Sequence, residues 1–123
     1  FIINLRYMKK YFYLILVIVF YSCKSDAELS IERGIHYYDW GKYNEAILEF
    51  NKAKYLQITK SKQTYYDLQL LAQTHYNLAI SYAKLDMFDL AHQEAQRAVS
   101  LVPNKEYREV LSLIIAKLQQ INQ

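Results

Sequence analysis

The apolar residues in the middle of the chain fall on helical periods. Tyr43, Ala46, Phe50 and Ala53 are spaced by three, four and three, which puts them on one helix face. Small residues at Ala46 and Ala53 let a second helix approach, and Tyr43 and Phe50 fill the space beside it. Gly41 supplies a turn before that face, so the pattern predicts a helical hairpin over about 27–40 and 43–58. Ser25-Asp26-Ala27-Glu28 reads as a capping box, with Ser25 reaching into the first turn and Glu28 reaching back. Downstream, Tyr65, Leu68, Leu71, His75, Leu78 and Tyr82 form one stripe on a long helix over about 64–85. A helix over about 87–101 is stopped by Pro103, and Asn104 stands where it caps a last helix over about 105–120. There Tyr107, Val110, Leu111, Ile114, Leu118 and Ile121 keep the helical period and are expected to cover the preceding hairpin. Leu113 and Ile115 lie off that stripe; either the helix bends to pack them or they are free for a partner.

The hairpin occurs twice. Tyr37 pairs with Tyr82, Tyr43 with Phe88, Ala46 with Ala91 and Ala53 with Ala98, all at an offset of 45. With Gly34 at a small-residue position and Trp40-Gly41-Lys42-Tyr43 at the turn, the unit resembles a tetratricopeptide (TPR) repeat, a helix-turn-helix of about 34 residues. The first copy departs from the pattern at Arg33, usually Leu, and at Ile58, usually Pro; the second has Ala95 where a large aromatic is common. The offset exceeds the usual period by about 11 residues, close to three helical turns, so lengthening the third helix keeps the same face inward. The expected fold is all-α: two TPR-like antiparallel hairpins and a C-terminal capping helix, after an N-terminal signal segment.

A different pattern opens the chain. Met8-Lys9-Lys10 precedes the apolar run from Tyr11 to Tyr21. The run is shorter than the roughly 20 residues a membrane span needs, and it has the charged start and apolar core of a secretory signal. Ser22-Cys23 resembles the lipobox of bacterial lipoproteins, in which a small residue precedes a lipid-modified Cys, although Phe20 and Tyr21 stand where Leu and a small residue are usual. The resemblance implies lipidation at Cys23; the alternative is an uncleaved anchor with Cys23 unmodified. Residues 1–22 are then upstream residues and signal peptide, with Met8 as the expected start; 23–26 form a lipid-bearing linker and 27–123 the helical domain.

Composition narrows the function. Gly 2 and Pro 1 are too few for a turn-rich all-β chain. The net charge of +3 comes from Arg6, Lys9 and Lys10; past Cys23 basic and acidic residues balance. Nucleic-acid binding needs a concentrated basic surface and is not expected. Lys52, Lys54, Lys60 and Lys62 cluster, either as a solvated helix end and loop or as a contact for lipid headgroups. The single Cys forms no internal disulfide. His36, His75 and His92 lack metal-ligand spacing, and there is neither a Gly-rich phosphate loop nor a nucleophile elbow. No catalytic residue, metal or cofactor is expected, apart from a covalent lipid on Cys23.

The TPR resemblance implies a concave surface lined by the first helix of each hairpin. Position by position it takes Glu28, Ile31, Ile35, Tyr38 and Asp39 from the first repeat and Gln73, Tyr76, Ile80, Ala83 and Lys84 from the second. Ile31, Ile35, Tyr38, Tyr76, Ile80 and Lys84 are the expected partner groove, with Leu113 and Ile115 as a second contact. The alternative is that the last helix folds back and fills the groove. The carboxylate clamp of some TPR domains needs Lys and Asn where this chain has Ile31 and Ile35, and only Asn77 matches, so chaperone-tail binding is not implied. A lipid-bearing Cys followed by a TPR array resembles the N-terminal part of BamD, the TPR lipoprotein of outer-membrane β-barrel assembly. That resemblance implies a protein–protein adaptor held by its lipid at the outer membrane, facing the periplasm and serving a β-barrel assembly complex. The rival is a self-associating structural lipoprotein of the cell envelope, such as a homodimer. Two repeats and one helix leave apolar faces uncovered, so the domain is expected to gain stability from a partner.

Overall fold

Three helix starts among the described residues carry a side-chain cap. Ser25 accepts from the Glu28 N–H at 3.3 Å, and the Glu28 carboxylate accepts from the Ser25 N–H at 2.7 Å, which satisfies two orphan amides at the head of one helix. Thr64 and Asp67 form a second capping box, absent from the sequence reading. Asn104 accepts from the Tyr107 N–H at 2.9 Å, as expected. The computed structural model describes residues 2–21 and 24–123. It has α1 (Ile2–Tyr21), α2 (Asp26–Asp39), α3 (Tyr43–Ile58), α4 (Tyr65–Lys84), α5 (Phe88–Leu101) and α6 (Lys105–Ile121), and no strand among the described residues.

The fold is all-α among the described residues, built of antiparallel helical hairpins. α2 packs antiparallel on α3, α4 on α5, and each hairpin leans on the next helix, α3 on α4 and α5 on α6. α2, α4 and α6 also touch in sequence, so they form an inner layer with α3 and α5 outside it. The turns repeat at the same offset as the apolar residues. In the first, the Lys42 N–H donates to the Tyr37 carbonyl at 2.8 Å around Gly41, whose φ is +74°. In the second, the Met87 N–H donates to the Tyr82 carbonyl at 3.0 Å around Asp86, whose φ is +58°. α4 has 20 residues where α2 has 14, so six of the extra residues between repeats lengthen the helix and the others sit in the loop 59–64. The expectation of three whole helical turns is corrected to that split, because the Thr64 cap fixes where the helix starts.

Two clusters make the core. Ile31, Ala46, Phe50, Ala53 and Leu78 form the first, and Ala79, Ala91, Ala95 and Ile114 the second, with Tyr82 packed against both. Gly34 is required by close approach: a β-carbon there would lie inside contact distance of the Phe50 ring. Polar groups join the hairpins. Gln57 donates to Thr74 Oγ1 at 2.9 Å, and Glu94 of α5 accepts from Lys54 of α3 at 3.1 Å and meets His75 Nδ1 of α4 at 2.5 Å. Burial alone would raise the Glu94 carboxyl. The His75 bond and the Lys54 charge outweigh it, and the net shift is downward.

Among the described residues α1 packs against none of the other helices, and its side chains from Asn4 to Val19 are exposed. No helix among the described residues is long and apolar enough to cross a membrane. The lipidation expected at Cys23 falls outside the described residues. In α6 the stripe holds Ile114 in the core, but Ile121 is 62% exposed, a correction to the sequence reading. Ile121 is the last residue of α6.

Candidate functional site

The inner layer leaves a groove with two chemically different halves. The helix period brings Tyr76, Ile80 and Lys84 of α4 to the face that looks toward α6. Toward the C-terminal ends of the helices the groove is apolar. Tyr38 of α2, Ile80 and Ala83 of α4, Phe88 of α5, and Val110, Leu113 and Ile114 of α6 line a space of about 540 Å³. Lys84, Lys117 and Asp86 stand at its rim. Leu113 is 68% exposed. Tyr38 sits edge-on to Tyr43 at 5.3 Å, and burial raises its phenol pKa, with the Tyr43 and Asp39 charges adding to that.

Toward the other end the groove is polar. Tyr66, Gln69, Gln73, Tyr76 and Asn77 of α4 face Asn104, Glu106 and Tyr107 across about 400 Å³. Tyr76 stacks on Tyr107 at 4.9 Å, and its hydroxyl donates to Glu106 at 3.0 Å. Burial first, and then that bond to a carboxylate, push the Tyr76 phenol up to about 12. The phenol therefore stays a donor at any physiological pH. Asn77 is buried, and its Nδ2 has no hydrogen-bond partner.

The structure thus joins what the sequence kept apart. Tyr38, Ile80 and Lys84 share one apolar space with Leu113, so the groove and one of the expected contacts on the last helix are the same site. The alternative in which α6 fills the groove is replaced by one in which α6 is a wall. Ile31 is corrected: it is 4% exposed, closed over by Phe50 and Leu78 in the first core cluster. Ile35 is half-buried against the same cluster. Tyr76 belongs to the polar half. Ile115 is exposed, but two residues from Leu113 it points to another side of α6 and does not join it. Sequence reasoning missed Phe88, Val110 and Lys117 in one half and Glu106 and Tyr107 in the other. For Val110, Lys117 and Tyr107 the spacing of α6 gave a face but not where that face docks, and Phe88 lies on α5.

Such a groove can take apolar side chains at one end, carboxylates at its lysine rim, and backbone amides at its polar end. Among the described residues no group of three or more His, Cys, Asp or Glu is placed to hold a metal ion. No protein-family model matches the chain, and no curated protein matches it. Among solved structures it is similar to the first TPR of Spaghetti (RPAP3), bound to the HSP90 peptide SRMEEVD. The two are 21% identical over 76% of this chain and 94% of that one, with a TM-score of 0.38.

Proposed function

We propose that the chain is a membrane-anchored adaptor whose inner groove holds a segment of a partner protein. In this reading it is an accessory subunit of β-barrel protein assembly, carried by a lipid on Cys23 at the outer membrane and facing the periplasm. One observation carries the adaptor role. Leu113 stays 68% exposed beside Tyr38 and Ile80, with Lys84 and Lys117 at the rim of the same space. Contiguous exposed apolar surface rimmed by charge marks an interaction site. The anchoring half of the reading rests on the apolar run before Cys23 and on α1, which among the described residues packs on no other helix.

Site-directed photocrosslinking in native membranes tests it. A photoreactive residue at position 113 should capture a protein, and one at position 48 should not. Leu48 is 70% exposed on the outer helix α3 and serves as the control. The 113 adduct should fall at least about fivefold when Tyr38→Ala and Ile80→Ala remove two walls of the groove. A β-barrel assembly subunit in the adduct supports the reading. A second copy of the chain supports the self-associating structural lipoprotein. Equal capture at 113 and 48 removes the groove as the binding site.

A further inference from the structure

We infer that the end of the domain where the chain enters α2 is a docking face for an anionic phospholipid bilayer, with the α3–α4 loop as its contact. The inference rests on the anchored reading above and adds to it how the domain stands on the membrane.

The tether sets the geometry. α1 ends at Tyr21 and α2 begins at Asp26. An extended chain reaches at most about 3.6 Å per residue, so lipid that holds α1 or Cys23 keeps the head of α2 within about 20 Å of the headgroups. The loop 59–64 stands at that same end. Ser25, Glu28, Lys60, Thr64, Tyr66 and Asp67 line one depression, and the Tyr66 hydroxyl donates to Glu28 across it.

The chemistry of this end suits an interface. Ile58, Tyr65 and Tyr66 are 56%, 76% and 56% exposed, in a segment that carries Lys60 and Lys62. Tyrosine places an apolar ring and a polar tip at headgroup depth, and lysine keeps its charge in water while its stem lies on apolar surface. Two of the acids nearby act as helix caps, and Asp26 in the first turn of α2 is exposed. Glu28 accepts from the Ser25 N–H and Asp67 from the Thr64 N–H at 2.8 Å, so their charge is engaged by helix amides. Consistent with this, the Tyr66 bond and then the Ser25 amide lower the Glu28 pKa, and the Thr64 amide and then Lys60 hold Asp67 at about 2. Lys60 shares its charge with Asp67 at 2.9 Å, and Lys62 forms no ion pair among the described residues.

Exposure alone does not choose this end, because Trp40 and Met87 are 68% and 43% exposed at the opposite one. The tether enters at the near end. α2 separates the two ends by about 20 Å at about 1.5 Å per residue, so with α2 upright on the membrane the loop lies at the headgroups and the Trp40 turn stands clear of them.

The test uses the full chain reconstituted with vesicles, read by flotation and by amide hydrogen exchange. The vesicles are pure phosphatidylcholine, or contain about a third phosphatidylglycerol. In anionic vesicles exchange across 58–66 should slow by about fivefold or more relative to detergent, while the 40–42 turn is unchanged. Lys60→Gln, Lys62→Gln and Tyr65→Ser together should restore fast exchange without loss of flotation. All three side chains are exposed, so the variant folds. A chain that floats but exchanges equally fast at 58–66 in vesicles and detergent overturns the docking face alone. Equal protection on neutral vesicles overturns its assignment to anionic lipid. A chain that does not float overturns the anchored reading, and the docking face with it.

Discussion

The two hairpins share a backbone plan and solve it with opposite side chains. In the first, Gly34 faces Phe50; in the second, the same positions hold Ala79 and Ala95. Phe50 is 1% exposed, and its ring fills the space between α2 and α3. Ala95 leaves that space empty, and Ile114 of α6 comes in to fill it. Each hairpin borrows one residue from the next helix, Leu78 for the first and Ile114 for the second, but the first has the large Phe50 of its own, whereas the second has only alanines of its own in its cluster. The same contrast marks the turns, where glycine adopts a positive φ freely and aspartate adopts it with strain. Two copies of one pattern need not be equally self-sufficient.

The largest effect should come from taking the fill away. Phe50→Ala should cost about 3–5 kcal/mol and Ile114→Ala about 2–5 kcal/mol in urea unfolding. The comparison lies in how they fail. Losing Ile114 should raise hydrogen exchange in α6 while α2 and α3 stay protected, and losing Phe50 should expose α2 and α3. If both variants unfold every helix together, the hairpins are one unit and the contrast drawn above is wrong.

A smaller effect should appear at the joint between the hairpins. The Glu94 carboxyl lies below its ordinary 4.5, so its ionised form stabilises the folded state above that pH. That stability is lost as pH falls through the lowered value. Glu94→Gln should cost about 1.5–3 kcal/mol near neutral pH, and its melting curve should converge on that of the unaltered chain as the pH falls from 4.5 downward. A constant gap between the curves down to strong acid would mean that Glu94 contributes packing and not charge. The smallest effect should be at the turns. Asp86→Gly should raise stability by about 0.5–1 kcal/mol, and Gly41→Ala should lower it by about 1 kcal/mol. A loss on Asp86→Gly would show that the aspartate side chain holds the second turn.

Local chemistry was legible from residues close in the chain. The Ser25–Glu28 box, the Asn104 cap and the spacing of Ala46, Phe50 and Ala53 each act within one helix or its first turn, and the structure has them as read. The Thr64–Asp67 box follows the same rule and was overlooked. What failed was long-range. Ile31 looks like a groove residue on its own helix, but Phe50 of α3 and Leu78 of α4 close over it. His75 reads as one more member of a stripe, because its partner Glu94 lies 19 residues away. The groove itself was half legible. Tyr38, Ile80 and Lys84 follow from repeat positions, but their union with Leu113 depends on where α6 docks, which no period within α6 reveals.

The fit between Gly34 and Phe50 also constrains how this sequence can change over generations. Moving the first hairpin to the second's pattern takes two substitutions. If Gly34→Ala comes first, the new methyl meets the aromatic ring. If Phe50→Ala comes first, a cavity opens between the helices. Either intermediate loses a good part of the roughly 5–15 kcal/mol that holds a domain folded. The pair is thus separated from its sibling by a valley in fitness, although the two solutions occupy one fold.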